Sequence, residues 1–367
     1  MDEKTIIPKL ALALIPGIGA GLARALFARC GSADEIFRLK RRDLISIPGI
    51  GNLIAEKILK ADTFRRAEEE VQYVKKEQLR VRFLFDDDYP PLLLQCQDAP
   101  LVIFSRGNLD EEGCRYLSIV GTRNPSSRGV QLTREIIFNL SERDPSIVII
   151  SGLAYGIDIQ AHQAALDSGL KTIAVLGHGF HTLYPAVHRG TAERIIRQGC
   201  LVSDFFSYNL PEPKNFIKRN RIIAGWSEAT LVIESGVKGG AMVTAEMANS
   251  YDRDVFSLPG RPDDPMSRGC NFLIRNNLAT LVENADDLIV SLGWEQGVRP
   301  RQPVQQELFE SLSPEDQSLF RIITDKPRTI DELARLAGLP VQMISAHLLS
   351  LEFKGLIKCL PGQQYAR

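Results

Sequence analysis

The stretch NFIKRNRIIAGWSEATLVIESGVKGGAMVTAEMANSYDRDVFSLPG, from Asn215 to Gly260, combines a basic segment, two apolar runs and a glycine-rich turn. Ala229 to Glu234 is typical of a short buried strand, and Ser235 to Gly240 of a tight turn that opens a helix. A second strand at Asp254 to Leu258 completes a β-α-β unit. In such a unit the turn places backbone N–H groups and the positive end of a helix at the carboxyl edge of a sheet, where phosphates bind.

The same alternation of strands and amphipathic helices extends toward the N-terminus of the chain. It is the signature of a mostly parallel α/β sheet that helices cover on both faces. Three of the strands end in polar turns that contain glycine, at residues 121–129, 151–158 and 177–185. Because the carboxyl ends of parallel strands meet at one edge, we expect these turns to form one site. The predicted strands lie at 116–120, 147–151, 172–176, 201–203, 229–234 and 254–258.

Positive charge is concentrated just before the first strand of the quoted stretch. Between Pro213 and Glu228 the chain carries four cations and no acid, although 44 Lys and Arg nearly balance 45 Asp and Glu over its 367 residues. A polyanion would therefore be held by a local patch and not by the field of the whole protein. Guanidinium groups match phosphate oxygens bidentately, so this segment predicts a phosphate-binding surface. The four cations are Lys214, Lys218, Arg219 and Arg221.

An internal repeat marks residues 1–75, where Leu14 to Gly19 and Ile45 to Gly51 both contain Pro-Gly-Ile-Gly before a helical pattern. The first copy is not a dinucleotide fingerprint, since a helical pattern precedes it instead of a strand. Each copy looks like the hairpin of a helix-hairpin-helix module, whose glycines let backbone N–H groups approach a DNA phosphate. A small helical domain that uses glycine only to connect its helices is the alternative, and both remain open.

The C-terminal part predicts a separate domain. Residues 291–312 lose periodicity and form a predicted linker. Residues 313–367 predict three helices and a hairpin, an arrangement typical of a winged helix-turn-helix. The third helix carries little positive charge, which favours contact with protein over contact with DNA.

Several classes of function are disfavoured by the composition. The six cysteines have no C-x-x-C spacing, which argues against a disulfide framework and a thiolate zinc site and fits a reducing cytoplasm. His178, His181 and His188 lack an accompanying carboxylate pattern, so no metal is expected. Ser151 is not in a G-x-S-x-G elbow, and the chain has no Walker A motif. No apolar run is long enough to span a membrane, so we expect no membrane anchor. Without a Walker A motif or a convincing general base beside the phosphate donors, we expect neither catalysis nor a cofactor.

With these motifs placed, the chain resembles the DNA-processing protein A family, also called DprA or Smf, from about Arg82 to Asp287. The resemblance implies an extended Rossmann-like domain at 76–290, beside a helix-hairpin-helix or SAM-like domain at 1–75 and a winged helix at 313–367. The motifs that carry it are Pro100 to Asn108, Ile119 to Arg123, Ser151 to Asp158 with Ala161-His162, Val175 to Gly179, Arg219 to Gly225, Val255 to Gly260 and Gly269 to Asn271.

The resemblance also implies a function. Members of this family are cytoplasmic homodimers that bind single-stranded DNA during natural transformation and help to load the RecA recombinase onto it. Duplex DNA is a further candidate partner for the N-terminal domain. Tyr155 departs from the family pattern, which commonly has a basic residue there, and its ring can stack on any base. The candidate DNA-binding residues are Arg123, Gly152, Tyr155, Gly156, Lys218, Arg219, Arg221, Lys238, Gly239 and Gly240.

An enzymatic alternative rests on the same turn. Gly239-Gly240 followed by Glu246 is similar to the glycine-rich turn and catalytic glutamate of nucleotide phosphoribohydrolases. The flanking residues lack the Gly-Thr pair of those enzymes, so Glu246 is expected to be a charge near a helix N-terminus.

Overall fold

The computed structural model describes residues 3–107, 111–295, 313–323, 328–353, 357–360 and 364–366. The chain divides into two compact units, residues 1–294 and 295–367. The domain boundary predicted after residue 75 lies inside the first unit. Most of the predicted linker falls on residues 296–312, which are outside the described part of the chain.

The first unit begins with six helices. Left-handed backbone at Gly17 (φ 97°) and Gly49 (φ 85°) turns the chain ahead of α2 and of α5, so each copy of the sequence repeat forms a hairpin between helices. Glycine adopts this conformation without the steric cost that a β-carbon adds. The helices are α1 (Glu3–Ala13), α2 (Ala20–Cys30), α3 (Ala33–Arg38), α4 (Arg41–Ile45), α5 (Asn52–Leu59) and α6 (Phe64–Lys76).

A nine-stranded sheet follows, in the order β1-β2-β6-β5-β4-β3-β7-β8-β9. The pairs β1/β2 and β2/β6 are antiparallel and the other pairs are parallel. Its strands are β1 (Arg80–Phe83), β2 (Val102–Gly107), β3 (Arg115–Val120), β4 (Ile147–Ser151), β5 (Lys171–Val175), β6 (Cys200–Ser203), β7 (Ala229–Val232), β8 (Asp254–Ser257) and β9 (Thr280–Leu281).

Helices cover both faces of this sheet, as the sequence pattern predicted. They are α7 (Pro91–Leu94), α8 (Ser127–Arg143), α9 (Ile157–Asp167), α10 (Arg189–Gln198), α11 (Pro213–Gly225), α12 (Gly240–Ser250), α13 (Arg268–Arg275) and α14 (Ala285–Ser291), with a 3-10 turn at Ala186–His188. None of the described helices is long and apolar enough to cross a bilayer.

Strand β4 shows why both faces are buried. All five of its residues, Ile-Val-Ile-Ile-Ser, are inaccessible to solvent. Ile147 and Ile149 belong to one hydrophobic core, whereas Val148 and Ile150 point to the other. This alternation follows from the two-residue period of a strand and explains the uninterrupted apolar run in the sequence.

The N-terminal helices share the second of these cores with the sheet. Leu10 and Leu26 lie in the same buried cluster as Val148 and Ile150. Polar contacts join the same parts: the backbone N–H of Ser207, beyond β6, donates to the α6 carboxylate of Glu70 at 2.8 Å. The helical region is therefore part of the scaffold of the sheet and not an appendage.

In the described residues of the second unit there are three helices, Pro314–Ile322, Ile330–Ala337 and Val341–Phe353. Its three-stranded antiparallel sheet has the order β10 (Arg328–Thr329), β12 (Gln364–Ala366), β11 (Lys358–Leu360). The predicted capping box opens the second helix, since Thr329 and Glu332 each accept a hydrogen bond from the backbone of the other. The predicted combination of three helices and a hairpin is confirmed within the described residues.

Deleting residues 1–75 should destabilise the whole first unit, because it exposes one face of the sheet core. The burial of two or three leucine-sized side chains contributes about 5 kcal/mol to the free energy of unfolding, which is comparable to the entire stability of a domain. In thermal unfolding, the deletion variant should show a much lower transition temperature, or it should aggregate. Removing residues 295–367 is the control and should leave the transition of the first unit in place. A cooperative transition at the full-length temperature after the N-terminal deletion would contradict the shared core.

Candidate nucleic-acid interface

A cavity of about 720 Å³ lies at the carboxyl edge of the sheet, where β3, β4 and β7 end. From β3 the chain builds β4, β5 and β6 on one side and later returns to build β7, β8 and β9 on the other. The loops after β3 and its neighbours therefore diverge, which opens a crevice at this switch point. We call this cavity the edge pocket.

Arg123 lies in the loop after β3, at the mouth of the edge pocket, and is exposed to solvent. Two backbone hydrogen bonds fix this loop: Thr122 donates to the carbonyl of Glu234 at 2.7 Å and accepts from the N–H of Ile157 at 3.1 Å. Gly156 (φ 81°) permits the close approach, since a β-carbon there would lie 2.2 Å from the Thr122 carbonyl oxygen.

Arg219 occupies the wall of the edge pocket and is only 3% exposed. Its Nη1 donates to the carbonyl of Gly152 at 2.6 Å and to that of Val175, the residues at the ends of β4 and β5. A β-carbon on Gly152 would lie 2.4 Å from the guanidinium nitrogens, so this glycine makes room for the cation. The guanidinium group is thus committed to holding α11 against the sheet.

Among the neighbouring charged groups, the buried carboxyl of Asp158 has the largest electrostatic effect on this arginine. Burial raises the pKa of Asp158, and the positive charge of Arg219 opposes that increase. Burial in turn lowers the pKa of Arg219 to about 10, so the guanidinium stays charged at neutral pH. Both side chains line the pocket but are almost fully buried, so Arg219 is a partly compensated charge in the wall and not a free cation on the surface.

The turn after β7 brings a helix N-terminus to the pocket. Gly239 is the N-cap of α12, and a β-carbon there would meet the Ser235 hydroxyl at 2.3 Å. Gly240 opens the helix, and a β-carbon on it would meet nothing within 4 Å. Lys238, in the same turn, is exposed. The first turn of α12 lines the pocket, and helix N-termini attract anions. The first turn of α9 contributes an acid to the lining, Asp158.

Aromatic side chains form the rim. Tyr155 is 46% exposed, and its ring stands edge-on to His188 with 5.1 Å between centroids. Tyr184 is 48% exposed and lies 5.7 Å from the ring of Phe216. The sequence analysis singled out only Tyr155. A phenylalanine inside a basic segment was the available signal for Phe216, because stacking and charge occur together in single-strand sites.

The remaining cations of α11 do not line the edge pocket, which differs from the single site that the sequence predicted. Lys218 and Arg221 face the opposite side of the helix. The Arg221 guanidinium pairs with the carboxylate of Asp204 and donates to the carbonyl of Asp98, and its side chain is 13% exposed. Residues 214, 218 and 221 share one helical face because they are spaced by four and three, whereas residue 219 lies on another face.

The edge pocket offers no hydrolytic constellation among the described residues. Ser151 donates its hydroxyl to the carbonyl of Ile119 at 2.7 Å, and the His162 ring bonds Thr172 at 2.7 Å. Burial lowers the pKa of His162 to about 3, so it is neutral. Glu246 is exposed and does not line the pocket. The described side chains also contain no group of three or more His, Cys, Asp or Glu that could hold a metal ion.

Comparison with known proteins identifies relatives for each part of the chain. The family model described as DNA recombination-mediator protein A matches residues 80–293. Models described as the DprA winged helix domain and a helix-hairpin-helix motif match residues 302–363 and 9–70. Protein Smf from Synechocystis is 33% identical over 98% of this chain and 98% of its own. DNA processing protein DprA from Streptococcus pneumoniae is 37% identical over 56% of this chain and 72% of its own.

Two solved structures share the fold. DNA processing protein A from Streptococcus pneumoniae superposes with a TM-score of 0.66 and 31% identity, over 77% of this chain and 96% of its own. The corresponding protein from Helicobacter pylori gives a TM-score of 0.53 and 25% identity, over 59% and 96%, and its structure is described as showing a unique single-stranded DNA binding mode. The predicted sheet, helix-hairpin-helix region and winged helix are confirmed by these matches.

A double-mutant cycle tests the clamp between Gly152 and Arg219. Gly152→Ala should cost about 1–3 kcal/mol of unfolding free energy by overpacking, and Arg219→Ala about 3–5 kcal/mol by leaving buried groups unpaired. In the double variant the new methyl group occupies space that the guanidinium vacates, so the combined loss should be smaller than the sum by about 1 kcal/mol or more. Urea unfolding measures the free energy of unfolding of the two single variants and of the double variant.

The control for this cycle is Gly240→Ala, whose β-carbon enters open space and should change stability little. Strict additivity of Gly152→Ala and Arg219→Ala would show that the two positions do not compete for the same volume.

Proposed function

The chain belongs to the DNA recombination-mediator protein A family, whose members are also called DprA and Smf, and we propose that it binds single-stranded DNA in the edge pocket. One observation carries the proposal: exposed cations, the N-terminus of α12 and exposed aromatic rings meet in one crevice. A single strand presents phosphates and unpaired bases together, so it needs donors and stacking surfaces side by side.

Phosphates would be held by Arg123, Lys238 and the backbone N–H groups at the start of α12. Bases would stack on Tyr155, Tyr184 or Phe216. None of these contacts reads a base edge, so the binding should be largely independent of sequence. Open space at Gly240 allows the sugar-phosphate chain to come close to the backbone.

Arg219, Gly152 and Gly156 have a positioning role in this proposal. The buried guanidinium holds the loop after β4 and helix α11 in place, and Gly156 brings the Arg123 loop against it. Loss of Arg219 would therefore disturb the pocket without removing a direct contact to the strand.

We further propose a non-enzymatic role in DNA processing in the cytoplasm. The edge pocket has hydrogen-bond donors for phosphate, but among its described lining residues there is no histidine, and the hydroxyl of its serine, Ser235, donates to the carbonyl of Gly236 at 2.9 Å. The position of Glu246 outside the pocket gives no support to nucleotide hydrolysis. Membership of the family supports a task in transformation, in which the protein passes the captured strand to the RecA recombinase.

A homodimer is the proposed working state. The edge strand β9 presents Leu281, 46% exposed, beside Leu278, 39% exposed. An apolar sheet edge favours pairing with another strand, and a second copy would cover it. Two pockets in one particle would raise the effective concentration of sites on a long strand.

The N-terminal hairpins are a proposed second DNA contact, with duplex as well as single-stranded DNA as the candidate. Gly19 and Gly51 precede α2 and α5 as N-caps, and a β-carbon on either would meet nothing within 4 Å. The winged helix has a proposed protein partner, since its third helix, Val341–Phe353, contains no Lys or Arg.

Substitutions at the pocket should separate charge from stacking. Arg123→Ala and Lys238→Ala should each weaken single-strand binding by about 1.5–3 kcal/mol and flatten the slope of log affinity against log salt by about 0.7. Tyr155→Ala should lose about 1–3 kcal/mol with the slope unchanged. Filter-binding titrations at several salt concentrations measure both quantities.

Arg194→Ala removes an exposed cation of α10 that pairs with Asp167 and lies outside the pocket. Its affinity and slope should match those of the unmodified protein. Equal behaviour of Arg123→Ala and Arg194→Ala would move the site away from the edge pocket.

Recombinase loading should depend on both the pocket and the dimer. Arg123→Ala should remain dimeric but speed the assembly of RecA on single-stranded DNA less than the unmodified protein. Leu281→Asp should sediment as a monomer, because a buried carboxylate disfavours the interface, and should also load poorly. Analytical ultracentrifugation and a RecA assembly time course give the two readouts. Full loading by both variants would refute this part of the proposal.

A further inference from the structure

A second cavity, of about 810 Å³, lies on the other side of α11 from the edge pocket. One wall contains Lys214 and Lys218 of α11, and the other is the first hairpin of the helical region, residues 18–21. No residue that lines this second cavity also lines the edge pocket. We call it the hairpin cleft.

The α11 wall exposes two ammonium groups. The Lys214 side chain is 80% exposed and lies 2.8 Å from the carboxylate of Glu212. The Lys218 side chain is 57% exposed, with its Nζ 3.9 Å from Asp204, and Arg221 already occupies that carboxylate more closely. The exposed pair of Lys214 with Glu212 costs little to open. The ammonium of Lys218 lies too far from the buried Asp204 carboxylate for a hydrogen bond, so both cations can bind a phosphate that enters the cleft.

The opposite wall contains glycines that the fold itself does not require. A β-carbon on Gly19 or Gly21 would meet no atom within 4 Å, and neither residue has a left-handed φ. Gly21 lies in the first turn of α2, where alanine is the better helix former. The missing side chains leave the N–H groups of this helix turn accessible from the cleft, as a phosphate ligand would need.

The cleft also has a stacking surface. Tyr208 is 58% exposed, and its ring contacts the guanidinium of Arg66, 5.6 Å from the ring centroid, and the imidazole of His181, at 4.5 Å between centroids. Arg66 is itself fixed by Glu70 at 2.6 Å. A tyrosine held in this way offers its remaining surface to a base at little cost in conformational entropy.

We propose that a single strand held in the edge pocket passes over the N-terminal half of α11 and continues into the hairpin cleft. This inference rests on the function proposed above. Neighbouring residues connect the two cavities, since Pro213 lines the edge pocket and Glu212 and Lys214 line the cleft. A helix is only about 10 Å wide, so a few nucleotides bridge the ridge.

The length dependence of binding tests this path. Oligothymidines of about 5 and about 15 nucleotides, within the range of known single-strand sites, would be titrated against the full-length protein. The longer strand should bind more tightly, with a steeper salt dependence. Lys214→Ala/Lys218→Ala should lose about tenfold in affinity for the long strand, equivalent to about 1.4 kcal/mol, and leave the short strand unaffected.

Gly21→Ala has a matched control in Gly190→Ala. Both glycines are exposed second residues of a helix and would place a β-carbon in open space, but Gly190 lies outside both cavities. Each substitution should maintain or raise the melting temperature. Only Gly21→Ala should weaken binding of the long strand, which loss of folding could not explain.

Three outcomes are decisive. An unchanged long-strand affinity in both cleft variants overturns the path. Two short strands bound per protomer would show that the cleft takes a separate strand, which also overturns it. Failure of the short strand to bind the unmodified protein, or its indifference to Arg123→Ala, would instead refute the edge pocket.

Discussion

The buried guanidinium of Arg219 is the interaction on which the site geometry depends. One side chain of α11 holds the carbonyl ends of β4 and β5, where a parallel sheet has acceptors without partners. A charged donor in a dry interior binds such acceptors strongly, and the nearby charge of Asp158 reduces the cost of its burial. Gly152 has no side chain, which leaves the space that this guanidinium group occupies.

This clamp makes α11 a ridge with two different faces. One face lines the edge pocket with Phe216 and the buried arginine, and the other carries Lys214 and Lys218 into the hairpin cleft. The cleft exists because the N-terminal helices share a core with the sheet, which holds the first hairpin opposite α11. A helical region tethered only by a linker could not form a wall of defined shape.

The glycines discussed above fall into two groups, according to whether the fold requires a residue without a side chain at that position. Gly17, Gly49 and Gly156 are needed by their backbone conformation, and Gly152 by a neighbouring side chain. Gly19, Gly21 and Gly240 have open space around the missing β-carbon. The first group explains the fold, and the second leaves open space beside the proposed path of the strand. Sequence alone shows all of them as the same letter, so this division required the coordinates.

The sequence by itself determined the local structure and the family. The apolar run Ile147–Ser151 is followed by a glycine-bearing turn and alternates with helical patterns, which predicts a strand buried on both faces. The Thr329–Glu332 spacing predicts a helix start. Both patterns depend on neighbouring residues. Tertiary structure alone decided which cations face solvent. Arg219 and Arg221 look alike in sequence, but one is committed to sheet carbonyls and the other to Asp204, since burial depends on partners distant in the chain. The split of the basic segment between two cavities has the same origin.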